Sequence, residues 1–163
     1  MKNTRQITII GIGNLLLQDD GVGVHVARRL QEMDLPDGVD VIDGGTSPEL
    51  FTYIESTDKL IVIDAMDTGD VPGSVYRMPI EDFTAGAKGL ASLHEVNLVS
   101  ILKMMSMLDK SPRETVIIGI QPKDMNLGTE LSPELQRSIP QIVRVVLDEI
   151  KSQKPIPEET ACW

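Results

Sequence analysis

The chain has 163 residues, 41% of them hydrophobic but only 3% aromatic, which suits one domain with a core of Ile, Val, Leu and Met. Its net charge of −10 argues against nucleic-acid and anionic-membrane binding, both of which need basic patches. The N-terminus lacks a signal-peptide h-region, and no uncharged apolar run approaches the roughly 20 residues of a membrane helix. The single Cys162 can form no internal disulfide, so a cytoplasmic location is expected.

The first apolar run, ITIIGI at 7–12, is short, β-branched and continuous, as expected for a strand covered on both faces. Val22, Val26, Leu30 and Met33 then recur at helical steps and predict a helix over 22–33. VDVID at 39–43 reads as a second strand. SPEL at 47–50 is a helix-start signal, with Ser at the N-cap, Pro at the first helical position and Glu at the positive end.

LIVIDA at 60–65 reads as a third buried strand, and the Pro-Gly turn at Pro72 leads into the alternating GSVYRM at 73–78, an edge strand that could run antiparallel. SLHE at 92–95 matches a capping box, Ser92 bonding forward and Glu95 reaching back, and opens a helix to about Leu108. TVIIGI at 115–120 is the last buried strand. A second SPEL at 132–135 starts a helix with Leu135, Ile139, Ile142, Val146 and Ile150 on its apolar face, ending near Lys151.

The order β-α-β-α-β-β-α-β-α predicts an α/β fold: a single-domain, three-layer sandwich over residues 1–151, with a mostly parallel five-stranded sheet and helices on both faces. Residues 152–163 are rich in Pro and Glu and are expected to form a mobile tail.

In such folds ligands bind beyond the carboxyl ends of the strands, which singles out Asp20, Asp43 with Gly44 and Gly45, Asp64, Asp67, His94 and Gln121. The stretch GIGNLLLQDDGVG begins like a dinucleotide loop, but Leu16 stands where the third glycine belongs. Asp19 and Asp20 would repel a pyrophosphate, so a phosphate cradle is rejected. Either aspartate could cap the following helix, and Gly21 and Gly23 could serve close packing on the sheet. His94 could equally be an inert surface residue, and His25 is expected on a solvated helix face. Taken jointly, one histidine and two aspartates suit a divalent ion such as Zn, Ni, Mn or Fe, although their spacing forms no compact metal motif.

GIGNLLLQDDGVGVHVARRL, VIDGGTSPEL, LIVIDAMDTGDVPG, SLHEVNL and VIIGIQP, in this order from about Ile7 to Ile150, resemble the NiFe-hydrogenase maturation endopeptidases. The resemblance implies a twisted five-stranded sheet and an enzyme that removes a C-terminal extension from the hydrogenase large-subunit precursor after nickel insertion. It carries three metal-contacting and catalytic positions onto Asp20, Asp64 and His94, the metal being the nickel supplied by the substrate. Some family members have Glu where Asp20 stands, so this arm is one methylene shorter. Other divalent ions such as zinc or cadmium would suit the same donors, and Asp19 is left as the better capping candidate. Gly44 and Gly45 are candidates for a backbone strap along an extended substrate tail. A monomer is expected, with no nucleic-acid or membrane partner. A nickel chaperone or sensor without hydrolytic activity would use the same three ligands.

Overall fold

The computed structural model describes residues 4–46, 49, 51–82 and 93–152, with the backbone alone for residue 51 and residues 93–97. The strands are β1 (Ile7–Ile12), β2 (Val39–Gly45), β3 (Lys59–Ala65), β4 (Val75–Pro79) and β5 (Glu114–Ile120). The helices are α1 (Val22–Gln31), α2 (Phe51–Ile54), α3 (Leu93–Met107) and α4 (Pro133–Lys151), with a 3-10 turn at Gln18–Gly21 ahead of α1.

They form one five-stranded sheet in the order β2-β1-β3-β5-β4, with β4 antiparallel to β5 and every other pair parallel. The continuous apolar runs became strands because both faces are covered. On one face Ile7, Ile9, Ile61, Ile63, Val116 and Ile118 pack against Val22, Val26 and Leu30 of α1 and Leu135, Ile142 and Val146 of α4. The residues between them, Ile10, Ile12, Leu60, Val62 and Ile117, pack on the other face against Ile54 of α2 and Leu98 and Met105 of α3. The two-residue period of the strands thus assigns each side chain to one layer of the sandwich.

Helix α4 starts as its sequence signals: Ser132 is the N-cap, its hydroxyl accepts the Leu135 N–H at 3.4 Å, and Pro133 follows. The first SPEL includes residues 47, 48 and 50, and the SLHE capping box includes Ser92. These lie outside the described residues, as does the tail from 153 onward with Cys162.

A charged network not expected from the sequence lies at the starts of β3 and β5, where Lys59 Nζ stands 3.6 Å from Glu114 Oε1. Lys59 is fully buried and donates to Glu149 Oε1 at 2.6 Å and to the Glu149 carbonyl at 2.9 Å. Arg77 donates to the same carboxylate through Nε and Nη2 at 2.5 and 3.0 Å. Burial pushes the Glu149 carboxyl up, but the hydrogen bonds from Arg77 and Lys59 outweigh it and hold the group below the usual carboxylate range.

Candidate functional site

The strand order places a topological switch point at β1. The β1–α1–β2 crossover runs over one face of the sheet and the β2–α2–β3 crossover over the other, so a crevice opens beyond the carboxyl ends of β1 and β3. Asp20 follows β1 and Asp64 lies near the end of β3, so the two candidate carboxylates flank that crevice.

Close packing of backbone on backbone brings the Asp20 turn there. A Cβ at Gly23 would lie 2.1 Å from the Ile63 carbonyl oxygen and 2.4 Å from that of Ile12, so only glycine lets the start of α1 rest on β1 and β3. Gly13 has φ +143, and a Cβ there would lie 2.0 Å from the Asp20 carbonyl oxygen. The expectation of close packing on the sheet holds for Gly23, whereas Gly21 lies against the preceding loop, where a Cβ would be 3.1 Å from the Leu15 Cα.

Both carboxylates are buried, Asp20 at 5% and Asp64 at 7% exposure. Asp20 Oδ2 accepts the Asn14 N–H at 2.9 Å, and Asp64 Oδ1 accepts the Ala65 N–H at 2.8 Å. Backbone donors thus orient each of them. His94 is the second residue of α3, and its side chain lies outside the described set. Among the described residues no group of three His, Cys, Asp or Glu side chains gathers as a metal site.

Gly44 is buried, and the Gly45 carbonyl accepts the Gly13 N–H at 3.0 Å, which ties the end of β2 to the loop that carries Asp20. Asp43 lies to the side, where it pairs with Arg28 at 2.9 Å. Gln121 does not face the crevice as a reacting group. Its Oε1 accepts the Thr68 N–H at 2.8 Å, and its Nε2 donates to Asp67 Oδ1 at 3.0 Å, which pins the loop after β3. The hydrogen bond from Gln121, then that from the Gly69 N–H, holds the exposed Asp67 carboxyl below its usual range.

Two expectations need correction. Neither Asp19 nor Asp20 caps α1, whose N-cap is Gly21 with no side-chain bond. Asp19 is instead fully buried and receives four donors from the segment between β5 and α4. The Lys123 and Asp124 N–H groups and the Ser132 hydroxyl reach Oδ2 at 2.9, 3.0 and 2.8 Å, and the Ser132 N–H reaches Oδ1 at 2.7 Å. His25, expected on a solvated face, is half-buried. Burial, and then the Arg28 guanidinium, push its imidazole below the ordinary value against an opposing pull from Asp19. Its Nε2 has no hydrogen-bond partner among the described residues.

The fold is thus an α/β sandwich with two buried acids, Asp20 and Asp64, near the carboxyl ends of β1 and β3. The family described as HycI, hydrogenase maturation protease, matches residues 24–149, and the chain belongs to that family. Its sequence is 28% identical over 159 residues to the Hydrogenase 2 maturation protease of Escherichia coli, covering 94% of this chain and 97% of that one. It is 32% identical over 153 residues to the hydrogenase expression/formation protein HupD of Thiocapsa roseopersicina, covering 91% and 69% of the two chains. The structure is similar to the hydrogenase maturating endopeptidase HybD from E. coli, with a TM-score of 0.83 at 27% identity, covering 90% of this chain and 92% of that one. Among the described residues, no helix is long and apolar enough to cross a membrane.

Proposed function

We propose that the protein is an endopeptidase that removes the C-terminal extension of the nickel-loaded large-subunit precursor of a NiFe hydrogenase, acting as a cytoplasmic monomer. The observation that carries this reading is the pair of buried, backbone-oriented carboxylates, Asp20 and Asp64, flanking the switch point in a chain of the hydrogenase maturation protease family. Metal-ligating carboxylates are usually themselves hydrogen-bonded, as Asp20 and Asp64 are by backbone N–H groups. Two oxygen donors with the His94 imidazole suit a nickel ion presented by the substrate, and zinc or cadmium would fit the same set.

The substrate's nickel is the recognition mark, bound by Asp20, Asp64 and His94. Water adds to the scissile carbonyl, one of the two carboxylates takes its proton and returns it to the leaving nitrogen, and the C–N bond breaks. Polarisation of the carbonyl or water by the substrate's ion would assist. Gly44 and Gly45, joined to the Asp20 loop through the Gly13–Gly45 hydrogen bond, offer main-chain groups to an extended tail. A protein substrate also suits the exposed side chains of Leu16, Met125 and Leu127, on the loops after β1 and β5 that hydrogen bonds of Leu16 and Gln18 with Gly128 join.

The test is cleavage of a purified large-subunit precursor, with and without nickel, followed by intact mass. Loss of the C-terminal peptide from the nickel-loaded form alone is expected. Nickel binding with no cleavage of any precursor would replace the peptidase by a nickel chaperone.

A further inference from the structure

The Asp19 carboxylate takes part in no step above, yet it is fully buried and accepts four hydrogen bonds. We propose that Asp19 is a positioning residue: it locks the loop carrying Asp20 to the segment between β5 and α4 and so holds Asp20 at the crevice. The inference rests on the peptidase reading for its kinetic consequence, but not for its structural one.

The argument begins with the donors. Three backbone N–H groups and one hydroxyl converge on this carboxylate, all from residues more than a hundred positions later in the chain. An ionised carboxylate is acceptor-only and can take four donors, whereas an amide of the same shape would turn an N–H toward one of them. The charge is therefore specific to this nest and is not a solvated ornament.

The main chain runs parallel to the side-chain bonds. Asp19 N–H donates to the Asp124 carbonyl at 3.0 Å, Gln18 N–H to the Gly128 carbonyl at 2.8 Å, and Gly128 N–H to the Leu16 carbonyl at 2.9 Å. Gln18 adopts φ +44, a left-handed conformation that a residue with a side chain avoids unless its surroundings hold it. Asp20 is the next residue after Asp19, so its aim depends on this clamp. Ser132 joins both jobs, since the hydroxyl that donates to Asp19 also caps α4.

The test compares Asp19→Asn with Val146→Ala, a core change in α4 remote from the rim loops, both assayed well below their unfolding midpoints. For Asp19→Asn, amide hydrogen exchange is expected to speed up about tenfold in residues 14–21 and 122–132 and to stay at the wild-type rate in β3 and β5. On the nickel-loaded precursor kcat should fall about 100-fold with KM nearly unchanged, the cost of misplacing a reacting group by about 1 Å. Cadmium affinity of the precursor-free protein should fall with it. Val146→Ala should lose stability while keeping kcat.

Wild-type exchange in both loops for Asp19→Asn, or wild-type kcat with loosened loops, would overturn the assignment. So would an equal kcat loss in Val146→Ala. If the wild type cleaves no precursor, the peptidase reading fails on its own, and loop exchange together with cadmium affinity still decides whether Asp19 holds Asp20.

Discussion

Substituting Gly23 by alanine tests how the site is assembled. The added Cβ would meet the Ile63 carbonyl oxygen at 2.1 Å, the Ile12 carbonyl oxygen at 2.4 Å and the Ile12 nitrogen at 2.9 Å. All three are backbone atoms of the central strands β1 and β3, so the helix has to give way. Ordinary contact begins at 3.4 Å, which leaves a deficit of about 1.3 Å at the worst contact. Overpacking of this kind costs about 1–3 kcal/mol, and an immovable backbone puts it at the upper end. Replacing a helical glycine by alanine returns about 1 kcal/mol, leaving a net loss of about 2 kcal/mol. For a domain of this size that lowers Tm by about 4–8 °C. Because Asp20 is three residues before Gly23, a displacement of about 1 Å should also reduce cleavage about 100-fold at temperatures where the variant is folded. Calorimetry and single-turnover cleavage read the two effects separately. Wild-type Tm together with wild-type cleavage would refute the idea that the glycine sets the depth of α1 on the sheet.

Other consequences follow from the charged groups. Lys59→Met should lower stability by about 3 kcal/mol, the low end for breaking a buried pair, because Arg77 still holds Glu149. Cleavage should be unchanged, since the network joins the starts of β3 and β5 while Asp20 follows β1 and Asp64 lies near the carboxyl end of β3. A denaturant melt paired with a turnover assay checks both, and a stable variant would count against the network. For His25, whose folded pKa is depressed, the neutral form belongs to the native state. Its contribution to stability is complete above the unfolded value of about 6.5 and is lost as pH falls through the lower folded value. His25→Gln should therefore flatten the Tm profile on the acidic side of about pH 6.5, and an unchanged profile would contradict the burial argument.

Much of this architecture is legible in the sequence because local chemistry decides it. The runs at 7–12, 60–65 and 115–120 are strands within a residue at either end, since continuous β-branched segments need cover on both faces. Ser132 and Pro133 open α4 where the helix-start signal stands. Asp20 and Asp64 could be nominated from their place after strand ends, and the fold sets both at the switch point. What could not be read depends on distant partners. Asp19 looks like a local cap, and only the folded chain shows its donors between Lys123 and Ser132. Gln121 reads as one more polar residue at the rim after β5, and only the fold shows that it supports the loop at Thr68 and Asp67. Lys59 reads as a charge before a strand, yet it is buried because Glu149 arrives from α4 to receive it.

The central claim is that Asp20, Asp64 and His94 act together on the substrate's nickel. Its most direct measurement is single-turnover cleavage of the nickel-loaded precursor by Asp20→Asn, Asp64→Asn and His94→Ala, each checked for folding, beside the exposed rim variant Asp67→Asn. The expected result is a loss of about 100-fold or more in each of the three, with Asp67→Asn close to wild type. Full cleavage by all three variants would contradict the claim and move the site elsewhere.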